Sequence, residues 1–402
     1  MVDFALSKDE MDIKKRADEF TYKYVTPRAQ ELDDKDEFPK DVIQKAYEMG
    51  LMNLHVPKVA GGPERTLLEE CLVSEAIGYG DAGVATSVAC NNLAFTPILL
   101  GATTDQLKKY IKPLVTGKEV KLAGFGLTER NAASDAAAVQ TRAVKDGDDW
   151  VINGMKCFIT CAPVASIFSV FASTNPELKH RGISVFIVPA DTPGVEIGHI
   201  ERKMGQRASV QSEVIFKDVR VPEDCLVGQE GSGFKAAMMT LDKTRAGIAG
   251  IATGVCQRAV DEAAKFANVR KQFGQTISAF QGISFKIADM AAKAEASRWL
   301  TRYAAWLADH KLPNAKESAF AKTFAGDSAM QNAIDCVQVM GGYGYMHEYP
   351  AEELMRGAKL LQIYEGTNEV QRIVSGSAVI KECAGKDTGF HLKYEGKDAP
   401  QM

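Results

Sequence analysis

The 402-residue chain lacks an excess of either charge. Its 48 Lys and Arg residues against 52 Asp and Glu leave a formal net charge of −4, with both signs mixed along the sequence. Bulk attraction to nucleic acid is therefore not the basis of its function. Metal-ligand spacings are lacking too. The six histidines include no His-x-x-x-His, and the eight cysteines include no Cys-x-x-Cys. The closest pair, Cys157 and Cys161, has no histidine beside it. No metal site is expected, and scattered cysteines in apolar contexts point to buried free thiols in a reducing compartment. No apolar run of bilayer-spanning length stands out. The N-terminus has neither a basic segment followed by an apolar run nor an Arg- and Ser-rich presequence. No membrane span is expected, and a cytoplasmic location is, or the mitochondrial matrix for a processed mature form.

What is present is a composition of 46% hydrophobic and 25% charged residues, that of a soluble globular protein long enough for two or three domains. Residues 1–118 read as helices. Ser7 and Glu10, Thr66 and Glu69, and Thr103 and Gln106 each have capping-box spacing, and Pro39 opens a helix that Gly50 ends. The helix after Thr66 is expected to reach about Gly78. Residues 119–225 change to short β-branched runs between turn residues, with hairpin signals at Asp146-Gly147-Asp148-Asp149 and at Asn153-Gly154. This is the pattern of an antiparallel β-barrel or sandwich. Residues 226–385 are helical again, in long alanine-rich segments over Phe234–Val269, Phe280–Leu307 and Ala315–Met340, which read as an up-down bundle. The polar stretch 386–402 is expected to be poorly ordered.

One stretch interrupts the last helical region: Tyr364-Glu365-Gly366-Thr367-Asn368-Glu369. Gly366 permits a sharp turn, and Thr367 is placed to cap the next helix. Two readings of Glu365 follow from the residues alone. It is a first-turn carboxylate that favours the helix dipole, or a carboxylate aimed into a cleft. Desolvation in a cleft would raise its pKa and make it a general base near neutral pH.

Seven motifs in order resolve that choice by resemblance. They are Gly50–Pro57, Ala190–Val195, Met204–Ser209, Asp242–Arg245, Arg270–Gly274, Gln338–Gly344 and the Glu365 stretch. Together they resemble the acyl-CoA dehydrogenase family, medium-chain members above all, over all but the final tail. The resemblance implies an α+β, three-domain fold: an N-terminal helical domain, a central antiparallel β-barrel or sandwich, and a C-terminal four-helix bundle. It implies FAD as cofactor and a short- to medium-chain acyl-CoA as substrate, dehydrogenated to the trans-2-enoyl-CoA. Glu365 would remove the α-proton while flavin N5 accepts the β-hydride. It also implies a homotetramer built as a dimer of dimers, an electron-transferring flavoprotein as electron acceptor, and a place in fatty acid β-oxidation.

Residue roles carry over in the same way. Phe125, Leu127, Thr128, Ser134, Phe158 and Thr160 match strand ends that face the flavin and substrate. Thr367 and Glu369 match positions near the flavin phosphates. Arg270, Phe273, Gln281, Gln338, Gly341 and Gly342 match an adenine-side site that one subunit completes for its neighbour. Ser134, Asp242, Thr244, Arg245 and Gly366 match the substrate-binding set, although the residues alone also allow Asp242 and Arg245 to be an ordinary helix pair. In a related subfamily the base sits where this chain has Thr244, which cannot serve as one.

The chain departs from the family at three places. The usual Thr-Glu-Pro-Gly-Ala-Gly-Ser-Asp of the flavin loop is Thr128-Glu129-Arg130-Asn131-Ala132-Ala133-Ser134-Asp135, without its glycines and proline. The usual Trp-Ile-Thr-Asn is Phe158-Ile159-Thr160-Cys161, which removes an indole where the electron-transferring flavoprotein docks. Thr86 to Leu100, with Ala89, Cys90, Asn91, Asn92 and Phe95, matches the segment that lines the acyl tail. Small changes there alter chain length or admit branched or cyclic acids. An enoyl-CoA reductase on the same fold, and a non-catalytic FAD- or CoA-binding homologue, are the alternatives this leaves.

Overall fold

A computed structural model describes residues 5–384 and 386; apart from residue 386, the tail expected to be poorly ordered lies outside the described residues. The N-terminal part is helical: α1 Lys8–Phe20, α2 Ala29–Lys35, α3 Lys40–Glu48, α4 Leu67–Gly80, α5 Ala82–Gly101, α6 Thr104–Gln106 and α7 Lys112–Val115. All three capping boxes form, at Ser7, Thr66 and Thr103. A π-helical turn, Leu107–Ile111, joins α6 to α7.

Helix α5 corrects one expectation. It is long and apolar enough to cross a bilayer by length and composition, although most of it is buried in the fold. Its polar residues explain why it is a core helix: Ser87 donates to Ala208 O at 3.0 Å and Asn91 to Lys121 O at 2.9 Å. Such bonds satisfy polar groups buried inside the fold.

The central sheet has eight strands: β1 Leu122–Gly126, β2 Arg142–Asp146, β3 Asp149–Thr160, β4 Ala165–Ser173, β5 Ile183–Pro189, β6 Val195–Ile200, β7 Gln211–Pro222 and β8 Leu226–Val227. Their order is β6-β7-β3-β2-β4-β5-β8, with β1 beside β4. Most neighbours are antiparallel, as expected, but β1 pairs with β4 in parallel and β2 meets β4 in parallel at Arg142 and Ser173. The Asp146–Asp149 turn is a hairpin. Asn153-Gly154 is not: β3 runs through it with a register shift. Gly154 has φ 149, and an added Cβ would lie 2.5 Å from Thr141 Oγ1. Here the glycine serves a bulge and a close backbone approach.

Period-two alternation lets β4 and β5 serve two cores. Phe168, Val170, Phe186 and Val188 face the β3 and β7 side, whereas Ile167, Phe171, Val185 and Ile187 join the helical core that includes Phe95 and Ile98 of α5. The sheet is thus clamped to the N-terminal helices, and the end of β1 is fixed beside β3.

The C-terminal part is built on α8 Gly233–Val269, α9 Gln281–Asp309 and α10 Ala315–Met340, with short strands β9 Lys271–Gln272 and β10 Gln275–Thr276 between the first two helices. The shorter α11 Pro350–Leu360 and α12 Asn368–Cys383 pack on α10. Helix α8 also packs on α4, and its glycines allow the backbones to close up. A Cβ at Gly254 would stand 2.2 Å from Glu75 O and 2.5 Å from Tyr79 N. Seven cysteines are buried, Cys383 is exposed, and none of the described cysteines is in a disulfide.

Candidate active site

Glu365 sits in the break between α11 and α12. Its φ is 54 and that of Gly366 is 89, so two successive residues adopt the left-handed region. For a glutamate this is uncommon and stores strain that the surroundings must hold in place. They do so from three sides. Gln371 Nε2 donates to Gly366 O at 3.1 Å. Lys322, buried in α10, donates to Gly366 O and to Asn368 Oδ1, each at 2.8 Å. Thr367 Oγ1 accepts from Val370 N at 3.3 Å and caps α12.

The strained turn points the carboxyl group at α8. Thr244 Oγ1 donates to Glu365 Oε2 at 2.6 Å. Burial pushes the Glu365 carboxyl above its ordinary pKa, and the Thr244 hydrogen bond and the Arg245 and Lys322 charges pull part of that back. Burial also pushes Lys322 down to about 8, against the opposing pull of Glu365. Glu365 is therefore a carboxyl with a raised proton affinity and a fixed orientation, the two properties a general base needs.

The carboxyl group borders a cavity of about 300 Å³. Thr244, Gly247 and Ile248 of α8 form one wall, and Ala89, Leu93, Thr96, Leu99 and Leu100 of α5 form another. The α5 segment expected to line an acyl tail thus does line the Glu365 cavity, although Cys90, Asn91 and Phe95 turn away into the core. Behind Glu365, the Tyr364 hydroxyl lies 3.3 Å from Thr86 Oγ1. Thr86 in turn donates to Gln206 Oε1 at 2.9 Å, and Gln206 Nε2 donates to Gly357 O at 3.0 Å. This chain of bonds ties α5 and the segment before β7 to α11.

The other predicted residues fall into separate groups. Phe125, Leu127 and Thr128, at the end of β1, lie beside Phe158 and Thr160, at the end of β3. Cys157 N donates to Thr128 O at 2.9 Å, and Lys156 Nζ donates to Leu127 O at 3.0 Å. Phe158 is 59% exposed and has φ 57, so an aromatic face is held out of the sheet on a strained backbone. Thr160 accepts from Gln211 Nε2 at 3.2 Å. This exposed aromatic face with two threonine hydroxyls beside it fits the ring system of a flavin.

A second group stands apart. Arg270, Phe273, Gln338, Gly341 and Gly342 line a cleft of about 810 Å³, and none of the residues lining it borders the Glu365 cavity. Gln281 lies between Phe280 and Gly282, which do line it. Phe273 is 94% exposed and an added Cβ at Gly341 or Gly342 would meet nothing within 4 Å. An open cleft with an arginine and bare backbone fits a phosphate-bearing ligand rather than a packed core.

The substrate set divides. Thr244 and Gly366 meet at Glu365. Asp242 Oδ1 accepts from Arg245 Nη1 at 2.7 Å, so these two do form a helix pair, and Arg245 Nε is left without a partner among the described residues. Ser134 is exposed, and no hydrogen bond joins it to that pair among the described residues. Thr367 is occupied in capping, and the Glu369 side chain is exposed in the first turn of α12.

Sequence reasoning missed Lys322 and the partnership of Thr244 with Glu365. It also missed the anchoring role of Glu129, at the start of the loop that lacks the usual glycines and proline. Glu129 accepts from Thr141 N and Oγ1 at 2.9 and 2.6 Å and from buried Lys156 Nζ at 2.7 Å. The one signal available was Lys156 itself, a lysine set between Met155 and Cys157-Phe158-Ile159.

Comparison with known proteins agrees with this architecture. Residues 7–118, 124–219 and 231–380 match the family descriptions of the N-terminal, middle and C-terminal domains of acyl-CoA dehydrogenase. The chain is 40% identical to the probable acyl-CoA dehydrogenase YngJ of Bacillus subtilis, over 94% of this chain and 100% of that protein. Butyryl-CoA dehydrogenase from Megasphaera elsdenii has the same fold, with a TM-score of 0.92 and 40% identity over 94% of this chain and 100% of the other. A structure described under the electron transferring flavoprotein of Acidaminococcus fermentans superimposes with a TM-score of 0.92 and 42% identity, over the same shares of the two chains. A more distant structure of the fold holds FAD. The chain belongs to the acyl-CoA dehydrogenase family and is an FAD-dependent oxidoreductase.

Proposed function

We propose that the protein dehydrogenates a short- to medium-chain acyl-CoA thioester to its trans-2-enoyl-CoA, with Glu365 as the base that removes the α-proton. The single observation that carries this is the Glu365 carboxyl itself. It is raised in proton affinity by burial, fixed by Thr244 at 2.6 Å, and borders a largely aliphatic cavity.

The acyl chain lies in that cavity between α5 and α8, which keeps water from the reacting carbons. Glu365 takes the α-proton onto its free oxygen while Thr244 steadies the other. The N–H groups of the Glu365–Gly366 turn would donate to the thioester oxygen and stabilise negative charge there. Bound FAD supplies the two-electron acceptor for the hydride that leaves the β-carbon. Phe125, Leu127, Thr128, Phe158 and Thr160 would hold its ring system, and Arg270, Phe273, Gln281, Gln338, Gly341 and Gly342 the adenine side of a neighbouring subunit's cofactor. That division of the site calls for a homo-oligomer, read here as a tetramer. Exposed Phe158 is the docking point for an electron-transferring flavoprotein, a partner supported by the description of the Acidaminococcus relative. The location is cytoplasmic.

The test is anaerobic titration of the FAD-loaded protein with a panel of acyl-CoAs, following flavin absorbance. Bleaching by saturated thioesters is expected. If no saturated thioester bleaches the flavin, yet enoyl-CoA oxidises the pre-reduced protein rapidly, the reaction runs in the reductive direction instead.

A further inference from the structure

The cavity beside Glu365 is not a plain hydrocarbon slot. Alongside its leucines it is bordered by His55, from the loop after α3, Glu70 of α4 and Asn92 of α5. Glu70 is only 7% exposed. Asn92 Nδ2 donates to Glu70 Oε2 at 3.3 Å, and His55 Nδ1 lies 3.1 Å from Glu70 Oε1. Yet Glu70 Oε1, Asn92 Oδ1 and both ring nitrogens of His55 make no hydrogen bond of acceptable geometry among the described residues. With Glu70 Oε1 and His55 Nδ1 set against each other as a pair, Asn92 Oδ1 and His55 Nε2 remain as neighbouring buried polar atoms without a partner among the described residues, which is unusual in a folded core, where such groups are nearly always satisfied. An alkyl chain placed against them would leave both unsatisfied.

The remaining ionic groups around the cavity are already engaged or open to solvent. Arg65 Nη1 holds Glu69 Oε1 at 2.9 Å. Asp309 accepts the N–H groups of Leu67 and Leu68 at 2.7 and 3.0 Å, and Lys243 is exposed. No spare cation therefore stands beside Glu70 to receive a second carboxylate. With His55 Nδ1–H turned to Glu70, what the cluster offers is acceptors: Asn92 Oδ1, His55 Nε2 and the remaining lone pairs of the Glu70 carboxylate. What it lacks is a donor for those remaining acceptors.

We propose that the acyl group of the physiological substrate carries a hydrogen-bond donor beyond its β-carbon, a hydroxyl or an amino group, bound by Glu70, Asn92 and His55. This rests on the dehydrogenase reading above and names the substrate class of the same site. A site built to hydrogen-bond a substituent rejects the analogue that lacks it far more strongly than an aliphatic pocket rejects an extra methylene.

The test reads binding separately from turnover. Calorimetry on the FAD-loaded protein gives dissociation constants for a matched short series: alkanoyl-, ω-hydroxyalkanoyl-, ω-aminoalkanoyl- and ω-carboxyalkanoyl-CoA. The hydroxy or amino member is expected to bind at least ~10-fold more tightly than the alkanoyl one. Glu70→Ala is expected to abolish that preference and improve alkanoyl binding. Should Glu70→Ala fail to fold, Glu70→Gln keeps the side-chain shape and is expected to weaken amino binding relative to hydroxy. Equal or tighter alkanoyl binding, with ratios unmoved in Glu70→Gln, would overturn the proposal and leave a cluster that holds ordered water only. Tightest binding by the carboxy member would overturn it as well. A tenfold preference with no flavin bleaching by any thioester would sink the dehydrogenase reading and leave this assignment standing.

Discussion

Thr244 Oγ1 and Glu365 Oε2 are 2.6 Å apart although 121 residues separate them in the chain. The Thr244 hydroxyl has a second acceptor in reach, Thr240 O at 3.2 Å, but has only one proton to give. The shorter contact directs it to Glu365, where it lowers the proton affinity that burial raises. Thr244→Val keeps the shape and removes the proton. The acid limb of the pH profile for flavin reduction is then expected to move to higher pH, with the rate at mildly acidic pH falling roughly tenfold. Stopped-flow reduction across pH reads this directly; an unmoved limb would show that Thr244 does not tune the base.

Glu365→Gln removes the base while keeping the left-handed turn and the Thr244 contact. Flavin reduction by a saturated acyl-CoA is expected to fall by ~10²–10⁴-fold. Thioester binding, read by calorimetry, should stay within a few-fold, because the cavity walls are unchanged. A parallel loss of binding would make Glu365 a structural residue of the turn.

The flavin loop depends on a buried ion pair. Lys156 is fully buried in β3, and its ammonium group reaches Glu129 Oε1 at 2.7 Å and Leu127 O at 3.0 Å. Burial pushes Lys156 down to about 8 against the opposing pull of Glu129. Breaking such a pair from one side leaves the other charge stranded, at a cost of about 3–5 kcal/mol. Lys156→Met is therefore expected to lower stability to urea by that amount and to loosen FAD, because Leu127 and Thr128 lose their anchor. Unfolding curves of the FAD-loaded variant, followed by both flavin release and circular dichroism, check the two effects together.

Much of this architecture was legible because local chemistry and tertiary structure agree. Three capping boxes read from Ser7, Thr66 and Thr103 all form, and the Ala315–Met340 helix has the bounds its periodicity suggested. Legibility failed where distant backbone decided the outcome. Asn153-Gly154 has the composition of a hairpin turn, but Thr141 and β7 flank it and make it a bulge within one long strand. Helix α5 reads as a nearly uniform apolar segment without a face, which is how a helix buried on all sides appears. At the site, Glu365, Gly366 and Thr367 could be singled out from a break between helices. Thr244 was singled out by resemblance alone, and neither its bond to Glu365 nor the role of Lys322 could be read, because each lies on a long helix and acts on Glu365 only through the way α8 and α10 meet that turn.

Lys322 offers the sharpest test of that last point. Its ammonium group is buried and holds Gly366 O and Asn368 Oδ1 at 2.8 Å each. Burial lowers it from the ordinary 10.5 to about 8. Between those two values the unfolded chain binds a proton at this lysine that the folded chain has released. The contribution of Lys322 to stability therefore rises with pH through that window, and below the folded value it remains a cost. Lys322→Met removes the titrating group, so its unfolding free energy should lack that rise when compared with the unmodified protein from neutral to alkaline pH. The same substitution removes a positive charge that holds the Glu365 carboxyl down and two bonds that fix the strained turn. The acid limb of flavin reduction should move upward, as in Thr244→Val, and the plateau rate should also fall, because the base is no longer held in place. A variant with an unchanged limb and plateau but an altered stability profile would confine Lys322 to the fold. Movement of both would place it among the residues that position the base.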